Sequence, residues 1–358
     1  MTPQVLREIV EHLSSFPTRN SLSPYLRPAM EWVADQYRAI PGMEVELMEF
    51  NLPLGNRVPE PTSVVQVIAT LPGDRPDIVM QSAHVDSLCL GADPKTGRAP
   101  GANDDASGVA VGICVARALA AEQRRSTLRF VAYCGEEQGL LGAKALAKRA
   151  QEEDWPILGI LNNDMVGSSR NLNSQCEANA LRLYSDVPAR EFARYAEWVV
   201  RQSCADFRLK LHLRPDRFGR GGDHTPFANL GFPAVRLTEV FEEWAHQHTT
   251  EDTIENMDFE FLARSAEANR VVIDALSNAE AAPINVRFDP KAGYHTNLSW
   301  QGEGQAYQVF WRETSSAIWQ GCQRVTGQGA EMKNLNKDEF IFGVAAEHGV
   351  PVEAQVAT

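Results

Sequence analysis

Acidic and imidazole side chains occur in five short motifs that together predict a metal site. The motifs are His84-Val85-Asp86, Asn103-Asp104-Asp105, Glu136-Glu137, Asp164 and His248-Thr249-Thr250-Glu251-Asp252. Three of the carboxylates and two imidazoles can hold two zinc ions if Asp104 bridges them, and each ion then keeps room for a shared water. The four positive charges of two Zn²⁺ are balanced by three carboxylates and a bridging hydroxide. Calcium and magnesium do not suit the histidine ligands.

Residues beside the predicted ligands have chemical roles of their own. His84 and Asp86 are two positions apart in a predicted strand, so the Asp86 carboxylate is expected to receive the second imidazole N–H of His84. The adjacent acids Glu136 and Glu137 point in different directions. We therefore expect Glu137 to bind metal, while Glu136 acts as a general base that takes a proton from the water and returns it to a leaving amine.

The elements that carry these motifs alternate between helix and strand. His84, Glu136 and Asp164 each follow an apolar run typical of a strand, and Glu239 follows another. Because open α/β sheets bind ligands at the carboxyl ends of their strands, these side chains are expected to share one crevice. The pattern predicts helices over 108–121, 140–150, 191–203 and 259–276, and strands over 127–133, 157–163 and 233–237. A hairpin between 63–71 and 77–83 is predicted from the intervening Pro72-Gly73-Asp74 turn.

Composition limits the class of protein. The 358 residues are 44% hydrophobic and 23% charged, as in an ordinary globular protein of two domains. The net charge of -13 argues against nucleic acid or an anionic membrane as the partner. No apolar run reaches the ~18 residues of a transmembrane helix. The start lacks the features of a signal peptide, so a cytoplasmic protein is expected, with a secreted or periplasmic mature form as the alternative. The six cysteines lack C-x-x-C spacing and are expected to be free thiols.

With its motifs in this order, the chain resembles the di-zinc aminopeptidases of metallopeptidase family twenty-eight over about residues 1 to 280. The motifs that carry the resemblance are His84-x-Asp86, Asn103-Asp104-Asp105-Ala106-Ser107-Gly108, Glu136-Glu137-x-Gly139, Asn163-Asp164-Met165 and His248-Thr249-x-x-Asp252-Thr253. The resemblance implies a three-layer α/β/α fold with a mixed, mostly parallel, eight-stranded sheet. It also implies an exopeptidase, foremost an aminopeptidase, that acts on peptides or small amides.

The same resemblance implies roles for individual residues. His84 and Asp164 would hold one zinc and Glu137 and His248 the other, with Asp104 bridging and Glu136 as the base. The peptide bond between Asp104 and Asp105 would be cis.

A wall of the substrate pocket is also implied by the family pattern. The stretch Gly222-Asp223-His224-Thr225-Pro226-Phe227 resembles this wall, which makes Arg220, Asp223 and His224 candidate substrate contacts. Some relatives carry a tyrosine just before the last histidine ligand, where its hydroxyl assists the tetrahedral intermediate, but here that position is Gln247. His246, Arg220 and the second zinc all stay open as the oxyanion donor.

Other activities can use the same metal core. A dipeptidase or a carboxypeptidase would share the chemistry, and glutaminyl cyclases share the fold but typically keep one zinc. The related acylases and dipeptidases insert a dimerisation domain between the last two ligands, and the 84 positions from Asp164 to His248 are too few for it. A binding protein without activity is disfavoured because the chain keeps all five ligands and the base.

The character of the sequence changes after Pro283. Short alternating runs with aromatic residues predict strands at 297–300, 307–312 and 340–346. Residues 283–358 are therefore expected to form a small all-β sandwich of fibronectin type III type with Trp300 in its core, behind a catalytic domain over residues 1–280. A chain that ends near Ala282 is expected to fold and remain active, unless the sandwich is packed onto the catalytic domain.

Overall fold

The computed structural model describes residues 1–216, 221–291 and 293–356, so the predicted substrate contact Arg220 lies outside the described residues. The seven α-helices of this part of the chain are α1 Pro3–Ser15, α2 Leu26–Arg38, α3 Ser107–Leu119, α4 Leu141–Glu152, α5 Arg190–Ser203, α6 His224–Asn229 and α7 Phe259–Ser277. The first eight strands are β1 Glu44–Leu52, β2 Thr62–Leu71, β3 Arg75–His84, β4 Ser126–Tyr133, β5 Ile157–Asn163, β6 Ala180–Ser185, β7 Arg208–His212 and β8 Ala234–Glu239.

These eight strands form one mixed sheet, as expected. Their order is β1-β2-β4-β3-β5-β8-β6-β7. The pairs β4–β3, β3–β5, β5–β8 and β6–β7 are parallel, whereas β1–β2, β2–β4 and β8–β6 are antiparallel. The parallel block in the centre places the carboxyl ends of β4, β3 and β5 side by side.

Helices cover both faces of the sheet and complete the three layers. In β3, Val79 joins the core beneath α1, α2, α3, α5 and α7, while its neighbours Ile78 and Met80 join the core beneath α4 and α6. Successive side chains of a strand point to opposite faces, so a strand that is apolar at every position requires cover on both sides. The continuous apolar runs of the sequence therefore account for the layered architecture.

The predicted hairpin between β2 and β3 is wrong, because β4 lies between the two strands. The backbone N–H groups of Asp74 and Arg75 donate to the carbonyls of Arg124 and Arg125 at 3.0 and 2.6 Å. These bonds place the start of β4 beside the segment that joins β2 to β3. A Cβ atom on Gly73 would lie 2.4 Å from the carbonyl carbon of Ser126. The glycine that signalled a hairpin turn thus serves the close approach of a third strand.

No helix in the described part of the chain is both long and apolar enough to cross a membrane.

Residues beyond Pro283 form two four-stranded sheets. The strands are β9 Ile284–Phe288, β10 Thr296–Gln301, β11 Ala306–Glu313, β12 Gly321–Thr326, β13 Gly329–Met332, β14 Phe340–Ala346, β15 Val352–Glu353 and β16 Gln355–Val356. The sheets have the orders β13-β10-β9-β16 and β12-β11-β14-β15, and a shared apolar core lies between them. Trp300 belongs to this core and is 3% exposed, as predicted. The likeness to fibronectin type III domains stays a prediction.

This sandwich packs onto α5 of the preceding domain. Trp198 of α5 contacts Phe310 edge to face with ring centroids 5.4 Å apart. The hydroxyl of Tyr195 donates to the carbonyl of His348 at 2.6 Å, and Arg194 Nε donates to the carbonyl of Ala317 at 3.0 Å. The sandwich therefore has its own apolar core and, in addition, a specific packed contact with the catalytic domain.

Trp198 gives a test of how strongly this contact couples the two parts. Trp198→Ala in the full chain is expected to lower the free energy of unfolding by about 2 kcal/mol, less than for a fully buried tryptophan, because the ring is half-buried. In a chain that ends at Ala282 the same substitution should have almost no effect, since the partner ring is gone. Urea denaturation of the four proteins measures the difference. If the shortened chain is insoluble, the catalytic domain requires the sandwich in order to fold.

Candidate metal centre

The predicted ligands converge at the carboxyl end of the central parallel strands. His84 ends β3, Glu137 lies four residues after β4, and Asp164 directly follows β5. Asp104 comes from a kinked turn, Ala102–Ala106, that precedes α3 and in which Asp104 and Asp105 have non-helical backbone angles, and His248 comes from the loop after β8. The sheet therefore gathers side chains that are up to 164 positions apart in the sequence.

Two groups of potential ligand atoms lie in this crevice. His84, Glu136 and Asp164 form one group, and Asp104, Glu137 and His248 form the other, with the ligand atoms of each group within 4.8 Å of one another. In the first group His84 and Asp164 are predicted ligands and Glu136 is the predicted base, whereas all three residues of the second group are predicted ligands. If Asp104 is shared, each ion has one imidazole and two carboxylates, which is a donor set typical of zinc.

Asp104 stands between the two groups. Its Oδ1 lies 3.1 Å from Nε2 of His84, and its Oδ2 lies 3.2 Å from Nε2 of His248. Each oxygen of one carboxylate thus faces a different imidazole, which is the arrangement that a bridging ligand requires. The peptide bond between Asp104 and Asp105 is cis, so that prediction is confirmed.

The electrostatics of the cluster favour a cation. Burial would raise the pKa of Asp104, but hydrogen bonds with His248 and His84 outweigh it and hold the pKa well below its usual range. Burial likewise opposes ionisation of Asp164, yet the charge of Arg236 and the contact with His84 lower its pKa to about 2. Burial would lower the pKa of His248, but Asp104 and Glu137 raise it to about 11. Asp104 and Asp164 are therefore ionised at neutral pH, and a bound cation would take the place of the proton that His248 holds between Asp104 and Glu137, so the residues present fit zinc.

Glu136 faces the same space from the wall of a pocket of about 480 Å³. It is half-buried, and burial together with the neighbouring Glu137 raises its pKa well above the usual value. A carboxylate that takes up a proton readily is suited to general base catalysis.

The predicted role of Asp86 needs a correction. Nδ1 of His84 lies 2.9 Å from the backbone carbonyl of Asp86 and 3.7 Å from the carboxylate, so the carbonyl receives the imidazole N–H. A carbonyl only accepts, which places the proton on Nδ1 and leaves Nε2 free to bind metal. The carboxylate instead accepts the backbone N–H groups of Glu136 and Glu137 at 3.3 and 3.2 Å. The side chain of Asp86 therefore positions the base Glu136 and the ligand Glu137, and the backbone carbonyl of Asp86 positions His84.

Asp252 and Glu239 hold the turn that carries Asp104. The Asp252 carboxylate accepts the backbone N–H groups of Asn103 at 2.8 Å and of Asp104 at 3.0 Å. Glu239, the last residue of β8, accepts from the Asn103 amide at 3.1 Å and from the backbone N–H of Ser168 at 3.0 Å. All these groups are buried.

Arg19 is a positioning residue that no pattern in the sequence singles out. Its guanidinium is fully buried and donates to the carbonyls of Leu13, Val85, Pro100 and Gly101 at 2.5 to 2.8 Å. Burial lowers its pKa to about 10, so it stays charged at neutral pH. It joins α1, the segment after β3 and the loop before Asp104 into one support.

Two of the predicted substrate contacts do not reach the pocket surface. Asp223 and His224 are each 1% exposed, and among the described residues the wall of the pocket at this place is formed by Gly221 and Thr225. The chain turns inward at the start of α6, which takes both side chains behind the wall. Gln247 does line the pocket, and its amide donates to Oδ2 of Asp104 at 2.7 Å.

The support around Asp104 yields a prediction. Asp252→Asn presents an amide N–H₂ to one of two backbone N–H donors and is expected to weaken zinc binding or activity by about 10 to 100-fold. Asp258→Asn is the matched control, because the Asp258 carboxylate likewise accepts a backbone N–H, that of Phe261 at the start of α7, and its other bond is to the hydroxyl of Ser169 rather than to the turn that carries Asp104. Competition with a chromogenic chelator measures the zinc affinity. Equal affinities of the two variants would remove Asp252 from this role.

Comparison with known proteins agrees with the site. Residues 66–273 match the model of peptidase family M28. A probable zinc metalloprotease of Leptosphaeria maculans is 34% identical over 95% of this chain and 90% of its own length. The solved structure of a zinc aminopeptidase from Bacillus subtilis has a TM-score of 0.62 at 17% identity, covering 76% of this chain and 95% of that one. A glutaminyl cyclase from Porphyromonas gingivalis also has a TM-score of 0.62, at 17% identity, covering 76% and 98%.

The chain belongs to peptidase family M28. It is a zinc-dependent metallopeptidase whose fold is shared with solved aminopeptidases.

Proposed function

We propose that the protein is an exopeptidase with two zinc ions, foremost an aminopeptidase. His84 and Asp164 would hold one zinc, Glu137 and His248 the other, and Asp104 would bridge them. The observation that carries this proposal is the position of Asp104, whose two oxygens face the imidazoles of the two groups at 3.1 and 3.2 Å.

The residues around this centre divide the work of peptide hydrolysis. Zinc ions bound here would supply an acidified water and polarise the scissile carbonyl. Glu136 takes the proton of the attacking water and passes it to the nitrogen of the leaving amine, because it faces the pocket within 4.8 Å of ligand atoms of His84 and Asp164. The backbone N–H groups of Glu136 and Glu137 donate hydrogen bonds to the Asp86 carboxylate, and these bonds hold the base and the ligand in position.

Gln247 has a positioning role in this scheme. Its amide holds one oxygen of Asp104, and it lies in the place where some relatives carry a tyrosine. An amide is a donor, as a tyrosine hydroxyl is, so Gln247 joins His246 and the second zinc as a candidate to face a developing oxyanion.

The preference for an aminopeptidase rests on two kinds of support. The solved structures with this fold include a zinc aminopeptidase from Bacillus subtilis and an aminopeptidase from Aneurinibacillus. The carboxylates of Glu136 and Asp164 line the pocket and give this part of its wall an acidic character, which attracts the ammonium group of a free amino terminus.

A panel of substrates tests which terminus of a peptide the enzyme recognises. Amino-acid nitroanilides should be hydrolysed and their N-acetylated forms should not, because acetylation removes the positive charge that the carboxylates receive. Release of a C-terminal residue from N-acetylated peptides would show a carboxypeptidase instead. Cyclisation of N-terminal glutamine without hydrolysis would show a glutaminyl cyclase.

A further inference from the structure

We infer that the substrate pocket recognises a carboxylate of the substrate through Arg57 and Lys144. The inference rests on the proposed function and adds the chemical class of the substrate to it: a short peptide with an α-carboxylate close to the scissile bond, or one with an acidic side chain.

The charges of the pocket wall are the first observation. Apart from the residues assigned to the metal and to catalysis, the charged side chains among the described residues of the wall are Arg57, Lys144 and Arg236, and all three are cations. This is unexpected in a chain of net charge -13, in which acidic residues outnumber basic ones 47 to 34.

The partners of these cations differ. Arg236 is buried and already neutralised, because its Nε lies 3.1 Å from Asp164 and its Nη1 2.7 Å from Asp216. Among the described residues neither Arg57 nor Lys144 forms an ion pair. The Nη1 atom of Arg57 donates at 2.6 Å to the backbone carbonyl of Glu137, which fixes the guanidinium beside the catalytic turn while leaving its charge uncompensated.

Helix α4 provides an internal comparison. Lys148 and Arg149, which lie outside the pocket, pair with acids: Lys148 with Glu152 at 3.5 Å, and Arg149 with Glu46 at 2.6 Å and Glu153 at 2.9 Å. Lys144 is one turn before Lys148 on the same helix and lines the pocket. The helix therefore compensates its outward cations and leaves the one at the pocket unpaired.

Position and chemistry together define the ligand. Arg57 contacts the backbone of Glu137, and the exposed side chains of Arg57 and Lys144 line the same pocket as Glu136, so a group that they bind lies in the pocket of the scissile bond. An arginine and a lysine that line one pocket are suited to a carboxylate, which can accept charge-assisted hydrogen bonds from both. The α-carboxylate of a short leaving peptide and the side chain of a glutamate or aspartate residue present the same group.

Binding measurements on the zinc-loaded protein test the inference without requiring turnover. Isothermal titration with L-alanine and L-alaninamide examines the α-carboxylate, and L-glutamate with L-glutamine examines the side chain. We expect the charged member of at least one pair to bind about tenfold more tightly than its neutral partner. We expect Lys144→Met and Arg57→Met each to reduce that ratio several-fold. Lys148→Met, the matched control on α4, should leave it unchanged.

The outcomes separate this inference from the proposed function. Equal binding within both pairs overturns it, and so does a preference that survives Lys144→Met and Arg57→Met, because a zinc ion would then be the group that binds the carboxylate. Equal kcat/KM for dipeptides and dipeptide amides, together with equal kcat/KM for substrates that contain glutamate and glutamine, also overturns it while supporting the proposed function. A preference that depends on Lys144 and Arg57 supports it even if no peptide is hydrolysed, in which case the proposed function alone fails.

Discussion

Glu136→Gln is expected to retain zinc and to lose about 10² to 10⁴-fold in kcat. Glutamine keeps the size of the side chain and its place in the pocket wall, but it does not take up a proton. The ligands His84 and Asp164 of the same group keep their own contacts with Asp104 and Arg236, so metal binding should persist. The loss should appear in kcat more than in KM, because the proton transfer belongs to the transition state.

Metal content and kinetics must be measured on the same preparation of this variant. Atomic absorption gives the zinc content, and a nitroanilide assay gives kcat. Glu152→Gln, at the exposed end of α4, is the matched control and should behave as the unmodified protein. Near-normal activity of Glu136→Gln with full zinc would falsify the assignment of Glu136 as the base.

Removal of zinc should abolish activity entirely, and two equivalents should restore it. Asp104 and Asp164 both lie within 3.9 Å of Nε2 of His84, and Glu137 shares a ligand group with Asp104, all in a buried place, so the protein without cations carries unfavourable like charges there. Zinc binds the folded state preferentially and is expected to stabilise it by about 4 kcal/mol at a thousandfold excess over its dissociation constant.

A titration of the chelated protein with zinc distinguishes the possible centres. Activity that rises up to two equivalents per chain agrees with the bridged pair around Asp104. Full recovery at one equivalent would instead indicate the single-ion centre that the cyclase alternative requires. A chelated protein that stays active would exclude a metal role altogether. The melting temperature, followed in parallel, reports binding independently of turnover.

The sequence by itself determined the central part of the fold and the membership of the cluster. The strand predicted at 157–163 is β5, Ile157–Asn163, and the helix predicted at 191–203 is α5, Arg190–Ser203. These elements are predictable because burial on one or both faces imposes a periodicity that the sequence records directly. The cluster could be predicted from the sequence for a related reason. Polar side chains that follow apolar strands lie close together where neighbouring parallel strands end.

Elements with weak local signals were missed. Strand β7, Arg208–His212, lies at the edge of the sheet, and its alternation of apolar and polar residues extends over only five positions. Helix α6, His224–Asn229, has six residues, too few for a helical period to be recognised. Its inward turn decided that Asp223 and His224 lie behind the pocket wall, although they belong to a stretch predicted to form it.

The partners of the cluster were decided only by the tertiary structure. Nothing local distinguishes Arg19 from an exposed arginine, because its four carbonyl partners come from α1 and from segments at positions 85 to 101. The choice between the carbonyl and the carboxylate of Asp86 depends on how the chain bends after β3, and spacing in the sequence does not set that bend. Strand pairing is non-local in the same way: β4 separates β2 from β3 because hydrogen bonds from a distant segment outweigh the preference of a short turn. Residue type and period are local properties that a sequence carries, whereas the partner of a polar group depends on the path of the whole chain.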